Sequence, residues 1–100
     1  LVLMRNYANL MALAAAGEYP DVETRLLYRY QSSHVTNVCA DRVSDLLRCM
    51  AASGLYHTNP VARFFRDLHQ ARGHIANNEA AYRRSYGLVQ LGLPNADPFV

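Results

Sequence analysis

Lysine is missing from this 100-residue chain, and all ten of its fixed cations are arginines. Against eight carboxylates the net charge is only +2, well short of the electrostatic footprint of a nucleic-acid binder. Cysteine is nearly absent too. The two present, Cys39 and Cys49, are ten positions apart in a predicted helix. A rise of roughly 1.5 Å per residue separates them by about 15 Å, too far to pair within one helix. They are expected to be buried free thiols in a reducing cytoplasm. Long apolar runs are also lacking. Leu1-Val2-Leu3-Met4 is soon interrupted by Arg5, Asn6 and Asn9, which is too short and too polar to span a membrane. No basic residues precede it, as a signal peptide would need.

Several chemical motifs are missing as well. There is no glycine-rich phosphate loop, nucleophile elbow or dinucleotide fingerprint. His69 and His74 are five apart, about 140° around a helix, so they diverge. His34 and His57 have no Cys, His or Glu at ligand spacing, and no metal set is expected. No window alternates apolar and polar residues long enough for a strand.

What remains is a helical pattern. A hydrophobic fraction of 51% and a mean hydropathy of −0.13 describe one soluble globular domain spanning 1–100. It opens in mid-pattern, without initiator Met or cap, so the chain is expected to be a piece of something longer. Leu3 to Ala16 reads as a first helix stopped by Gly17. Pro20 suits the first position of a second helix, with Asp21 and Glu23 at the positive end of its macrodipole. That helix is expected to run to about Ser53, before Gly54, with Val35, Cys39, Val43, Leu46 and Met50 as one buried stripe. The break at His57-Thr58-Asn59-Pro60 makes Asn59 an N-cap and Pro60 an N1 residue. A third helix follows to about Asn77, and Glu79 opens a fourth ending at Gly92. The fold class is therefore all-α, an antiparallel up-and-down bundle of three or four helices.

The third helix carries two stripes. Phe64, Leu68, Ala71 and Ile75 form the expected core face. Arg63, Asp67, Gln70 and His74 repeat the spacing one position earlier, with Arg63 and Asp67 able to pair at i, i+4. Such a pair is ordinarily a solvated salt bridge, and a lone helical His is ordinarily a packing residue. Gly73 beside His74 suits a close approach by a backbone or a flat ligand. Tyr28-Arg29-Tyr30 and Tyr82-Arg83-Arg84 could touch RNA, but side chains snorkelling from amphipathic helices explain them equally well.

The segment Asn59-Pro60-Val61-Ala62-Arg63-Phe64-Phe65-Arg66-Asp67-Leu68-His69-Gln70-Ala71-Arg72-Gly73-His74 resembles the carboxyl-terminal helical domain of the acyl-CoA-dehydrogenase fold. Pro60, Arg63 and the Arg66-Asp67 pair match the opening of its penultimate helix. A His seven residues after the Asp, at His74, and the tail from Tyr86-Gly87 to Gly92-Leu93-Pro94 are similar to the two-component flavin monooxygenases, which hydroxylate aromatic and steroid-phenol substrates. Where dehydrogenases of the fold carry Glu-Gly-Thr, this chain reads Gly73-His74-Ile75-Ala76-Asn77, so a carboxylate base there is not expected.

The resemblance implies an enzyme whose intact form takes reduced flavin (FMN or FAD) from a separate reductase and hydroxylates through a C4a-hydroperoxyflavin. It implies catalytic His74, with Arg63, Arg66 and Asp67 steadying the helix or touching flavin, in a cytoplasmic homotetramer. Two other readings stay open. One is a non-catalytic oligomerisation module, and the other an enzyme of the same fold oxidising an amine or amino sugar. A helical transcription regulator is disfavoured by the modest charge.

Overall fold

Two matching stop signals frame the chain in the computed structural model, which describes residues 1–56 and 58–100. Helix α1 (Val2–Ala15) ends where Gly17 takes φ +71°. Its C-terminus is closed by bonds from Gly17 N–H to Ala14 O and from Glu18 N–H to Leu13 O. Helix α4 (Glu79–Gln90) ends the same way, with Gly92 at φ +75° and bonds from Gly92 N–H to Val89 O and Leu93 N–H to Leu88 O. This is the Schellman arrangement, which needs a left-handed residue that glycine adopts without a Cβ penalty.

Helix α2 (Val22–Cys49) is capped by Asp21, whose Oδ1 accepts from Thr24 N–H at 2.7 Å. Pro20 therefore lies before the cap and not at N1 as expected. The helix also stops four residues short of Ser53, because Ala51 enters the left-handed region at φ +49° and a 3₁₀ segment (Ala51–Leu55) follows. Helix α3 (Pro60–Arg72) begins as predicted, with Asn59 Oδ1 accepting from Val61 N–H at 3.0 Å and Pro60 in the first turn. Within that predicted break, His57 lies outside the described residues. The far end of α3 differs from expectation. The helix terminates at Arg72 with Gly73 as cap, and Ile75–Asn77 is a separate 3₁₀ turn. No strand occurs among the described residues.

The helices fall into two compact units, Leu1–Ser32 with Glu79–Val100, and Ser33–Asn78. The first packs α1, the start of α2, α4 and the tail around Leu26, Tyr82, Asn6, Ser85 and Asp97, all buried. Its two Tyr-Arg clusters meet each other. Arg29 donates to Tyr82 Oη at 2.9 Å, with its guanidinium carbon 4.3 Å from the Tyr82 ring centroid, and Tyr30 stacks with Tyr86 at 6.4 Å. Arg29, Tyr30 and Tyr82 are engaged in these contacts, while Arg83 and Arg84 are exposed.

The second unit corrects both predicted apolar stripes. On α2, Val35 and Cys39 are exposed and Leu46 is 50% exposed. The inward row is instead Ser33, Asn37, Ala40, Ser44 and Leu47, with Ser33 and Ala40 fully buried. On α3, Phe64 and Ile75 are 55% and 64% exposed, while Leu68 and Ala71 from the predicted stripe are half-buried along with Phe65, His69 and Arg72, and Ala62 is buried. Small and polar residues face inward because hydrogen bonds satisfy them there, so burial does not follow hydrophobicity. The cysteines are free but exposed, not buried.

Candidate functional site

On the inner side of the second unit, side chains from α2 and α3 are tied by hydrogen bonds. Asn37 is the hub. Its Nδ2 donates to Ser33 O at 2.8 Å and to Asn77 O at 3.1 Å, and its Oδ1 accepts from Arg72 Nε at 2.9 Å. Arg72 also donates to Asn37 O at 3.2 Å and pairs with the Asp41 carboxylate. Asn77 returns the connection to α3 by donating from Nδ2 to Ala71 O at 2.7 Å. A half-buried guanidinium with a carboxylate and two oxygen partners avoids the cost of an unpaired buried cation.

This network holds both ends of the Gly73–Asn78 turn that carries His74. The His74 backbone is extended, and its Nδ1 accepts from Ala76 N–H at 3.1 Å. An accepting nitrogen cannot also carry a proton. The neutral ring therefore bears its hydrogen on Nε2, which becomes a donor. His74 is exposed, and so is Ile75 beside it. Because α3 ends at Arg72, His74 leaves the helical row of Arg63, Asp67 and Gln70.

The other predicted site residues lie back along α3. Arg63 Nε is 3.6 Å from Asp67 Oδ2, with both side chains more than 60% exposed. Solvated pairs of this kind contribute at most about 0.5 kcal/mol, too little to explain them as stability devices. Arg66 is exposed and has no hydrogen bond or ion pair among the described residues. About 16 Å of helical rise separates Arg63 from the position of His74, and the four residues do not form one contact cluster.

A second polar pair went unnoticed in the sequence. His69 Nε2 lies 2.8 Å from Ser44 Oγ, and Ser44 Oγ donates to Ala40 O at 2.9 Å. With the hydroxyl proton on the helix carbonyl and Nε2 protonated, His69 donates to Oγ, and in that arrangement the serine is not activated, since activation needs a base accepting its proton. Phe65 packs on the imidazole at 4.3 Å, and the pair borders a cleft of about 450 Å³ with Arg48 and Ala51. Only the 25-residue separation hid this pair, since Ser44 and His69 each lie on the inward row of its helix.

Among the described residues no group of three metal-binding side chains occurs, and no helix is long and apolar enough to cross a membrane.

Comparisons with known proteins cover nearly the whole chain. The family described as Acyl-CoA dehydrogenase, C-terminal domain, matches residues 1–79. The flavin-dependent monooxygenase oxygenase subunit HsaA of Rhodococcus jostii (strain RHA1) is 34% identical over 98 residues, covering 98% of this chain and 26% of that protein. HsaA of Mycobacterium tuberculosis (strain ATCC 25618 / H37Rv) is 31% identical over 98 residues, covering 98% and 25%. The crystal structure of 3-HSA hydroxylase from Rhodococcus sp. RHA1 superposes with a TM-score of 0.85 at 34% identity, covering 95% of this chain and 24% of that one. The HsaA monooxygenase from M. tuberculosis gives 0.84 at 30% identity, covering 94% and 24%. The chain spans about a quarter of the length of these curated relatives.

Proposed function

Since the chain belongs to the acyl-CoA dehydrogenase C-terminal domain family, we propose that residues 1–100 form the carboxyl-terminal helical domain of the oxygenase component of a flavin-dependent monooxygenase. Its substrate is an aromatic or related small molecule, and a separate reductase supplies the reduced flavin. The alignment with HsaA oxygenase subunits over 98% of the chain carries this reading.

The residues present fit a flavin. Arg66, exposed and unpaired among the described residues, suits an anionic phosphate of FMN or FAD. Arg63, held near Asp67, adds a second guanidinium one turn away. When bound, reduced flavin supplies the activation of dioxygen, which no side chain can provide. His74 then offers its Nε2–H to an oxygen of flavin or substrate, while Ala76 N–H holds Nδ1 and so fixes the ring's tautomer.

The exposed Leu46 and Phe64 support packing against other parts of an assembly, and we read the intact protein as a homotetramer. The two unpaired cysteines favour the reducing cytoplasm. The test is His74→Ala in the intact protein, with reduced flavin, dioxygen and an aromatic substrate. The variant should bind reduced flavin as the parent does and lose coupled hydroxylation, releasing hydrogen peroxide instead. Unchanged product yield would refute the role of His74.

A further inference from the structure

We infer that Asn37 is a positioning residue for His74, acting from α2 through the backbone of the Gly73–Asn78 turn. The inference rests on the catalytic reading of His74 proposed above.

Among the described residues the His74 ring receives one hydrogen bond, from Ala76 N–H inside its own turn, so its orientation is only as fixed as that turn. The turn is internally light. Within it Asn77 N–H reaches His74 O at 2.8 Å and Asn78 N–H reaches Ile75 O at 3.2 Å, and the Ile75 side chain is 64% exposed. Two side-chain amides tether it to the helices on either side of the second unit. Asn37 Nδ2 binds Asn77 O at 3.1 Å from α2, and Asn77 Nδ2 binds Ala71 O at 2.7 Å from α3. Asn37 also binds Arg72, the last residue of α3, through Oδ1 at 2.9 Å. One amide therefore holds the end of the helix with its acceptor and the far end of the turn with its donor, and His74 sits between them. A misplacement of about 1 Å in such a group costs on the order of 100-fold in rate, so these tethers matter far beyond their small share of stability.

The amide's two ends can be separated by substitution. Asn37→Asp keeps an oxygen acceptor for Arg72 but removes both N–H donors and sets a carboxylate against Asn77 O. The end of α3 stays tied while the turn is released. Asn77→Asp is the second variant, and it cuts the tether to Ala71 from within the turn.

Two measurements on the intact protein test the proposal. Millisecond-pulsed amide hydrogen exchange, without flavin, should show the amides of Ala76, Asn77 and Asn78 exchanging at least about tenfold faster in Asn37→Asp. Those of α3 from Arg66 to Arg72 should keep their protection. An unchanged turn, or equal loosening of all of α3, would overturn the inference, the latter by making Asn37 a general packing residue. The second measurement uses reduced FMN, dioxygen and 3-HSA as probe. Product per flavin oxidised should fall about tenfold or more in Asn37→Asp, and the double variant with His74→Ala should be no worse than His74→Ala alone. Losses that multiply would overturn the inference. If His74→Ala itself keeps full coupling, the catalytic reading of that residue fails, and the positioning role fails with it, even where exchange shows the tether.

Discussion

Ala51 occupies a backbone position that glycine fills elsewhere in the same chain. Its φ is +49°, against +71° at Gly17 and +75° at Gly92, and like them it follows the end of a helix. For an L-residue the left-handed conformation costs roughly 1–2 kcal/mol. Replacing Ala by Gly removes that cost but gives the unfolded chain more freedom, worth roughly 0.5–1 kcal/mol. Ala51→Gly should therefore stabilise by about 0.5–1 kcal/mol. The two glycines calibrate the same quantity in reverse, because a Cβ at either would meet nothing within 4 Å. Gly17→Ala and Gly92→Ala should each destabilise by about 1 kcal/mol from backbone conformation alone. Urea unfolding of the three variants, with the slope checked for constancy, gives the comparison. Ala51→Gly falling on the destabilising side, together with the two alanine substitutions, would refute the assignment of strain to Ala51.

Two further outcomes concern the first unit. Asp97 is 3% exposed, its Oδ1 accepts from Phe99 N–H at 2.9 Å, and its Oδ2 lies 3.4 Å from Arg29 Nε, an ion pair outside hydrogen-bond geometry. Arg29→Ala would leave that carboxylate buried without its cation. Because Arg29 is 25% exposed, the cost should be about 2 kcal/mol, below the range for a fully buried pair; faster proteolysis within Asn95–Val100 is the check. Asp21 is the pH-sensitive cap, since Thr24 backbone N–H and then its side chain hold the carboxyl below its ordinary value of 3.8. A lowered folded value means the stabilisation is complete above about pH 4 and is lost as the pH falls through the folded value. Asp21→Asn should remove that acid-side dependence, and thermal melts across the acid range that stay parallel for the two proteins would contradict it.

How much of this was legible in the sequence depended on the range of the interaction. Gly17, Asn59, Pro60 and Gly92 marked helix ends correctly because caps are made within a few residues. The early stop at Ala51 was illegible, since alanine carries no signal for a left-handed residue, and the stop at Arg72 was missed because Gly73 reads as a close-approach glycine as readily as a helix end. Periodicity found the rows on α2 and α3 but chose the wrong one to bury. Leu46, Phe64 and Ile75 are apolar at helical spacing and still half or more exposed. A pattern of hydrophobicity says which residues share a face and nothing about what that face meets. Arg63 and Asp67 paired as their spacing required. The Asn37 hub could not be read, because its partners Arg72 and Asn77 are 35 and 40 residues away.

That inversion bears on how the domain works. Within the second unit, side-chain hydrogen bonds between helices are made by Asn37, Ser44, His69, Arg72 and Asn77, beside apolar contacts such as Leu47 and Phe65. Each such bond adds only about 1 kcal/mol net, yet each fixes direction as well as distance. An apolar interface would hold the helices more strongly and the His74 turn less exactly in orientation, since dispersion contacts tolerate sliding. The outward residues have the opposite character. Ile75 and His74, adjacent and both exposed, present an apolar surface beside a single Nε2–H donor. An apolar wall with one placed polar group is what an aromatic ring bearing an oxygen substituent requires of a binding surface. On the role proposed for His74, polar tethers would set its orientation from within and Ile75 would offer apolar contact outward, so the same turn would be rigid toward α2 and receptive on its other side.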